Sequence, residues 1–191
     1  MDGPGKSGAR FAKLYIDEND IYHESLVERG QLKATLSKRE DVQAIVFVDD
    51  FVGSGHSASD YLQTFLNECQ DVVKAKSIRI FLLSVCGFET GRRYVEEHLS
   101  SDVPEIHIHF CDSFDQSSVC FGDQSRVFTD QNERARARDI AEKKGVLLCK
   151  PAPLGYSDSQ SLVVFSHNCP NNTLPILWEK NREWIPLFRR D

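Results

Sequence analysis

The sequence predicts an α/β fold, a mainly parallel sheet flanked by helices, and three observations predict it. Short apolar runs rich in Val, Ile, Leu and Phe recur at residues 43–48, 78–85, 105–110 and 162–168. Segments with apolar residues at helical spacing lie between them. The first run ends in Asp49-Asp50 and passes through a Gly- and Ser-rich turn into a helical segment. Open α/β sheets place their ligands at such strand ends. Alternation of strand and helix indicates parallel pairing, because a crossover helix returns each strand in the same direction.

The elements follow in order. Residues 1–10 are Gly-rich and read as a loop, and FAKLY (11–15) as part of a short helix. Residues 24–39 have helical spacing, with Gly30 as a weak point. QAIVFV (43–48) is a continuous apolar run, the pattern of a strand buried on both faces. Ser57 is placed to N-cap a helix reaching about Gln70, with Leu62, Phe65, Leu66 and Cys69 on one face. IRIFLLSV (78–85) is the second strand and ETGRRYVEEHL (89–99) a helix. EIHIHF (105–110) is the third strand, with His107 and His109 alternating against Ile106, Ile108 and Phe110. Asp130 caps a charged helix expected to stop at Gly145, and LVVFSHN (162–168) is the fourth strand. Together these make one domain over 1–191: an N-terminal loop and helices (1–42), an α/β core (43–150), and a final strand with a small C-terminal hood (151–191).

Composition narrows the function. The chain has 191 residues, 23 basic and 29 acidic, and a formal net charge of −6. That acidic balance argues against coating nucleic acid. Apolar residues are 40%, charged residues 27%, and the mean hydropathy is −0.39, an ordinary globular composition. No apolar run approaches the roughly 18 residues of a membrane span, and the N-terminus has no apolar signal region. The expectation is a cytoplasmic protein that does not engage membranes. The six cysteines form no CxxC pair and read as reduced, mostly buried thiols. His107 and His109 have an i, i+2 spacing that metal sites use, but no acid or thiol partner is assignable from sequence. Arg134 and Arg138 read as one solvated helix face. Ser54 and Ser57 have no identifiable His/Asp relay, so a serine hydrolase is not supported.

The segment AIVFVDDFVGSGHSASDYL (44–62) carries the chemistry. A buried strand delivers two carboxylates to its open end. A loop containing Gly53 and Gly55, with Ser54 and Ser57, then enters a helix N-terminus. Unsatisfied N–H groups and the helix dipole favour an anion there, and glycines let the backbone approach phosphate oxygens. The two carboxylates suit sugar hydroxyls or hydrated magnesium. Phosphate donors beside hydroxyl acceptors describe a sugar-phosphate site. The competing readings are an acidic strand end followed by a plain Gly turn, and a receiver-type phosphorylation domain. The second needs no Gly-Ser-Gly loop directly after its acids.

These residues resemble the 5-phosphoribosyl 1-diphosphate (PRPP) motif of the type I phosphoribosyltransferase family. That motif is four apolar residues, two acids, two variable residues and a Thr/Ser/Gly-rich loop. The resemblance implies a Rossmann-like fold with Asp49 and Asp50 on the ribose hydroxyls and on Mg2+, directly or through water. It implies that Gly53, Ser54, Gly55, His56 and Ser57 wrap the 5′-phosphate. Two positions depart from the pattern. Gly53 stands where Thr is usual, which removes a hydroxyl, and His56 stands where Gly or a small residue is common.

Both ends of the chain extend the resemblance. GKSGARFAKLY (5–15) is similar to the family's diphosphate loop, with Lys6, Ser7, Gly8 and Arg10 facing the leaving group, although the strand that precedes this loop in the family is missing. The chain is therefore expected to lack an upstream segment or to be part of a longer protein. LGYSDSQSLVVFSHNCPNNTLPILW (154–178) resembles a segment of phosphoribosyltransferase-like domains in bacterial conflict and defence systems. Asn171, Asn172 and Thr173 would then line an acceptor pocket, with Trp178 stacking on a base; the alternative is a turn held by Asn side chains over a packed Trp178. Trp184, Ile185, Leu187 and Phe188 suggest an interface with a partner protein or a second copy.

The function implied is binding of PRPP or a related ribonucleotide with Mg2+, and phosphoribosyl transfer to or from a nucleobase-like acceptor. The runner-up is a non-catalytic nucleotide sensor or effector on the same fold. A nucleosidase is a third, more distant reading.

Overall fold

The computed structural model describes residues 7–99 and 104–190. The chain divides into two compact units, residues 1–113 and 114–191.

The first unit is the α/β layer. Its elements are α1 (Ser7–Glu18), α2 (Leu32–Lys38), β1 (Ala44–Val52), α3 (His56–Ala75), β2 (Arg79–Phe88), α4 (Glu89–His98) and β3 (Ile106–Phe114). The sheet is parallel and three-stranded, in the order β1-β2-β3. β1 pairs with β2 in the register Ile45–Ile80, Phe47–Leu82 and Asp49–Ser84. The apolar periodicity of α3 explains its packing. Leu62, Phe65, Leu66, Cys69 and Val73 fall on one stripe and are all buried. They meet Ile45 and Phe47 of β1, Ile80 and Leu82 of β2, Phe110 of β3, Leu36 of α2 and Val95 of α4 in a single core. Phe47 sets its ring edge-on to Tyr61 and Phe65, with centroids 5.4 and 5.1 Å away. Each large aliphatic side chain buried here contributes roughly 1.5–3 kcal/mol of transfer free energy. α1 packs against β1.

The local chemistry corrects several expected boundaries. Residues 24–39 are not one helix. Two short 3-10 turns, His23–Ser25 and Arg29–Gln31, precede α2. α2 ends where the Lys76 ammonium caps the carbonyls of Leu36 and Arg39, at 2.9 and 3.1 Å. Gly55, not Ser57, is the N-cap of α3. Its φ of 84° lies in the left-handed region that favours glycine, and Ser57 sits in the first turn. β1 continues through Asp49 and Asp50, because backbone pairing with β2 persists to Val52–Gly87.

The second unit holds α5 (Gln131–Leu148) and α6 (Pro175–Trp178). Its core is Cys120, Phe121, Ala141, Leu154 and Leu174. Asp130 caps α5 as expected, accepting from the Glu133 N–H at 2.8 Å. Gly145 does not end the helix. A Cβ there would lie 2.0 Å from the Pro153 carbonyl oxygen, so this glycine admits a close backbone crossing. The expected fourth strand at 162–168 does not form. One isolated bridge, Ser161–Thr173, stands just before it. The Ser161 hydroxyl takes the Val163 N–H, and the Thr173 hydroxyl donates to the Val163 carbonyl, so both backbone groups of Val163 are bonded outside any ladder. All six cysteines are free thiols, with Cys111 exposed. No helix among the described residues is long and apolar enough to cross a membrane.

Candidate functional site

The site is built at the carboxyl end of β1. Asp49 lies opposite Ser84 in the register, and Asp50 is only 7% exposed. The Asp50 N–H donates to Asp49 Oδ1 at 2.9 Å. Burial, and after it the Asp50 carboxyl, push the Asp49 carboxyl up from 3.8 to about 7. Asp49, half-buried beside the buried Asp50, is thus costly to ionise. Hydroxyl donors or a cation would lower that cost.

The next turn is shaped by backbone approach. A Cβ on Gly91 of α4 would stand 2.2 Å from the Gly53 carbonyl oxygen, and a Cβ on Gly55 2.4 Å from the Gly91 carbonyl oxygen. The loop therefore seats directly on α4, backbone against backbone, at three positions without side chains. From Gly55 the chain enters α3, whose first intrahelical bond is Ser59 N–H to the Gly55 carbonyl at 2.9 Å. The amino end of this 20-residue helix, with its positive dipole end, stands at the loop. Ser57 is exposed in the first turn. The Ser54 hydroxyl and His56 Nδ1 are hydrogen-bonded at 2.8 Å. The His56 ring lies 4.3 Å from Tyr94, and Tyr94 stacks on His98 at 3.7 Å. Asp49 through Ser57 are thus one continuous strand end, turn and helix start.

Cys86 closes the β2 side of this strand end. Its Sγ is 3.9 Å from the Asp50 carbonyl oxygen. Burial first, then the nearby Asp112 and Asp50, push its thiol up to about 12. It stays protonated and is no nucleophile.

Other sequence candidates belong to other elements. Lys6 falls outside the described residues. Ser7, Gly8 and Arg10 are inside α1, with Gly8 buried and Arg10 exposed. His107 and His109 are both exposed, and among the described residues no cluster of three metal-ligating side chains occurs. Arg134 is held by Asp123 at 3.1 Å with its side chain only 14% exposed, so the solvated face does not extend to it.

The C-terminal candidates sit in the second unit. The Asn171 side chain is exposed, and its carbonyl accepts from the Tyr156 N–H at 2.9 Å. Asn172 is buried, with its carbonyl accepting from the Ser159 hydroxyl at 2.8 Å. Thr173 is fully buried. Trp178 is half-buried, donates its indole N–H to the Thr173 carbonyl at 2.8 Å, and has the Arg190 guanidinium 4.4 Å from its ring centroid.

Sequence reasoning missed α4 as a wall of the site. The available signal was Gly91 within a helical segment, followed three residues later by Tyr94 on the same face.

A parallel α/β sheet with an acid pair and a Gly-Ser-Gly turn at its first strand end is the architecture of a phosphoribosyltransferase-type domain. A family model described as PRTase-CE matches residues 1–190, and the chain belongs to that family. No curated protein and no solved structure matches the chain.

Three outcomes follow from the packing and electrostatics. Gly91→Ala meets immovable backbone and should destabilise the protein by about 1–3 kcal/mol in denaturant melts. Gly30→Ala, with nothing within 4 Å of its Cβ, should change stability by under about 0.5 kcal/mol. Asp49→Asn removes an acid whose folded pKa is raised. An unfolded Asp ionises near 3.8 while the folded one holds its proton to about 7, so the native acid loses stability as pH rises through that window. The variant's melting temperature should equal wild type at pH 4 and exceed it at pH 8.

Proposed function

We propose that residues 49–57 bind the ribose 5-phosphate portion of PRPP or of a related ribonucleotide, and that the domain transfers the phosphoribosyl group to or from a nucleobase-like acceptor. One observation carries the reading: paired acids lead without interruption into a turn held open on Gly91 and then into the start of a long helix. In this reading the loop amides and the Ser54 and Ser57 hydroxyls donate to the 5′-phosphate, and Asp49 and Asp50 accept from the ribose hydroxyls. Holding the sugar at both ends fixes C1 for in-line departure of diphosphate, which is catalysis chiefly by positioning.

The donor set fits magnesium. Mg2+ keeps several waters and commonly uses one or two carboxylates plus substrate phosphates. Asp49 and Asp50 supply such a pair, and their mutual repulsion favours a cation. When bound, the ion would neutralise charge on the diphosphate. Cys86, protonated and buried, takes no part in transfer.

A second reading has its own observation. Ser7, Gly8 and Arg10, which the transfer reading assigns to the diphosphate, belong to the regular helix α1. That favours a nucleotide sensor or effector, for instance within a bacterial defence system, that binds ligand unchanged. Ile185 and Leu187, 89% and 77% exposed, would then serve contact with a partner protein or a second copy.

Calorimetric titration with PRPP, with and without Mg2+, tests the proposal. Saturable binding by wild type, lost in Asp49→Asn/Asp50→Asn, is the expected result. Absence of binding by folded wild type would contradict it. Diphosphate release on adding candidate bases separates transfer from sensing.

A further inference from the structure

We propose that His56 is a positioning residue for the 5′-phosphate: it fixes the Ser54 hydroxyl as a donor to the ligand. The inference rests on the reading of residues 49–57 given above and names a role within that site.

Three features carry it. His56 Nδ1 and Ser54 Oγ are 2.8 Å apart, two residues from each other across the N-cap glycine. The imidazole is backed by Tyr94, 4.3 Å away, and Tyr94 is itself stacked on His98. Tyr94 rises from the helix whose Gly91 seats the loop, so one element sets both the turn and the plane of the ring.

The chemistry follows from counting protons. A serine hydroxyl has one hydrogen to give. If Ser54 donates it to an unprotonated Nδ1, only lone pairs are left for a phosphate, and oxygen would face oxygen. If Nδ1 carries the proton, Nδ1–H donates to Ser54 Oγ, and the hydroxyl hydrogen is released toward the anion. Phosphate binding therefore selects the Nδ1–H form of His56. The second hydrogen bond an imidazole can make is set by the first, so the tautomer works as a switch on Ser54. Gly53, in the position where the family motif carries Thr, has no hydroxyl, which leaves Ser54 and Ser57 as the loop's hydroxyl donors.

The test uses ribose 5-phosphate as the probe, with calorimetry and imidazole 15N spectra of the full chain. His56→Phe keeps a ring against Tyr94 and removes the nitrogen. It should weaken binding by roughly tenfold to hundredfold, the loss of one hydrogen bond to a charged group. Ser54→Ala should weaken binding similarly, and the double variant no more than either single one. His56→Asn presents an amide N–H near the place of Nδ1–H and should restore most of the affinity. In the saturated wild-type complex, the His56 Nδ1 resonance should report a protonated nitrogen. Wild-type affinity in His56→Phe, additive losses in the double variant, or an unprotonated Nδ1 in the complex would each overturn the proposal while leaving the site reading intact. Absence of wild-type binding would overturn both.

Discussion

The close approach of the chain after β1 to the start of α4 governs the rest of the site. The Gly53 carbonyl and Gly55 meet Gly91, with no room for a methyl group on Gly55 or Gly91. This contact does three things together. It fixes the turn, it accompanies the positive φ of Gly55 that starts α3, and it brings Tyr94 alongside His56. A side chain at Gly55 or Gly91 would push the loop off the helix. The anion seat proposed for this turn would then be lost with its backbone geometry.

The acids before the turn show the complementary constraint. Pairing with β2 carries β1 past Asp49 and Asp50, so the carboxyls belong to a rigid strand and not to a loop. The position raises the cost of ionising Asp49, through burial first and the Asp50 carboxyl after it. A fold that keeps such a pair accepts a stability loss at neutral pH. On the proposed function, ligand hydroxyls or a cation would recover that loss on binding, so the strain would favour a liganded state. Neutral, buried Cys86 beside the Asp50 carbonyl adds no charge that would offset it.

Much of this was legible in the sequence, and for identifiable reasons. The strand at 43–48, the stripe Leu62–Cys69, the Asp130 cap and the acid–glycine order depend on local patterns. What escaped depended on distant partners. Gly145 looked like a helix stop, but it answers to the Pro153 backbone. Residues 162–168 have strand composition, yet the hydroxyls of Ser161 and Thr173 take both backbone groups of Val163 out of any ladder. The role of α4 was hidden because Gly91 reads as a weak helix residue until Gly53 and Gly55 are set against it. Asn172 and Thr173 are both buried, with hydrogen bonds inside their own unit, a placement that residue type alone does not reveal.

The central claim is that the turn from Gly53 to Ser57 is a preformed seat for a sugar 5′-phosphate. An amide-resolved 15N–1H titration of the full chain with ribose 5-phosphate, beside one with ribose alone, tests it most directly. The account predicts saturable shifts largest at Gly53, Ser54, Gly55, His56 and Ser57, and much smaller ones with ribose. Largest shifts elsewhere in the chain, or equal responses to the two sugars, would contradict it.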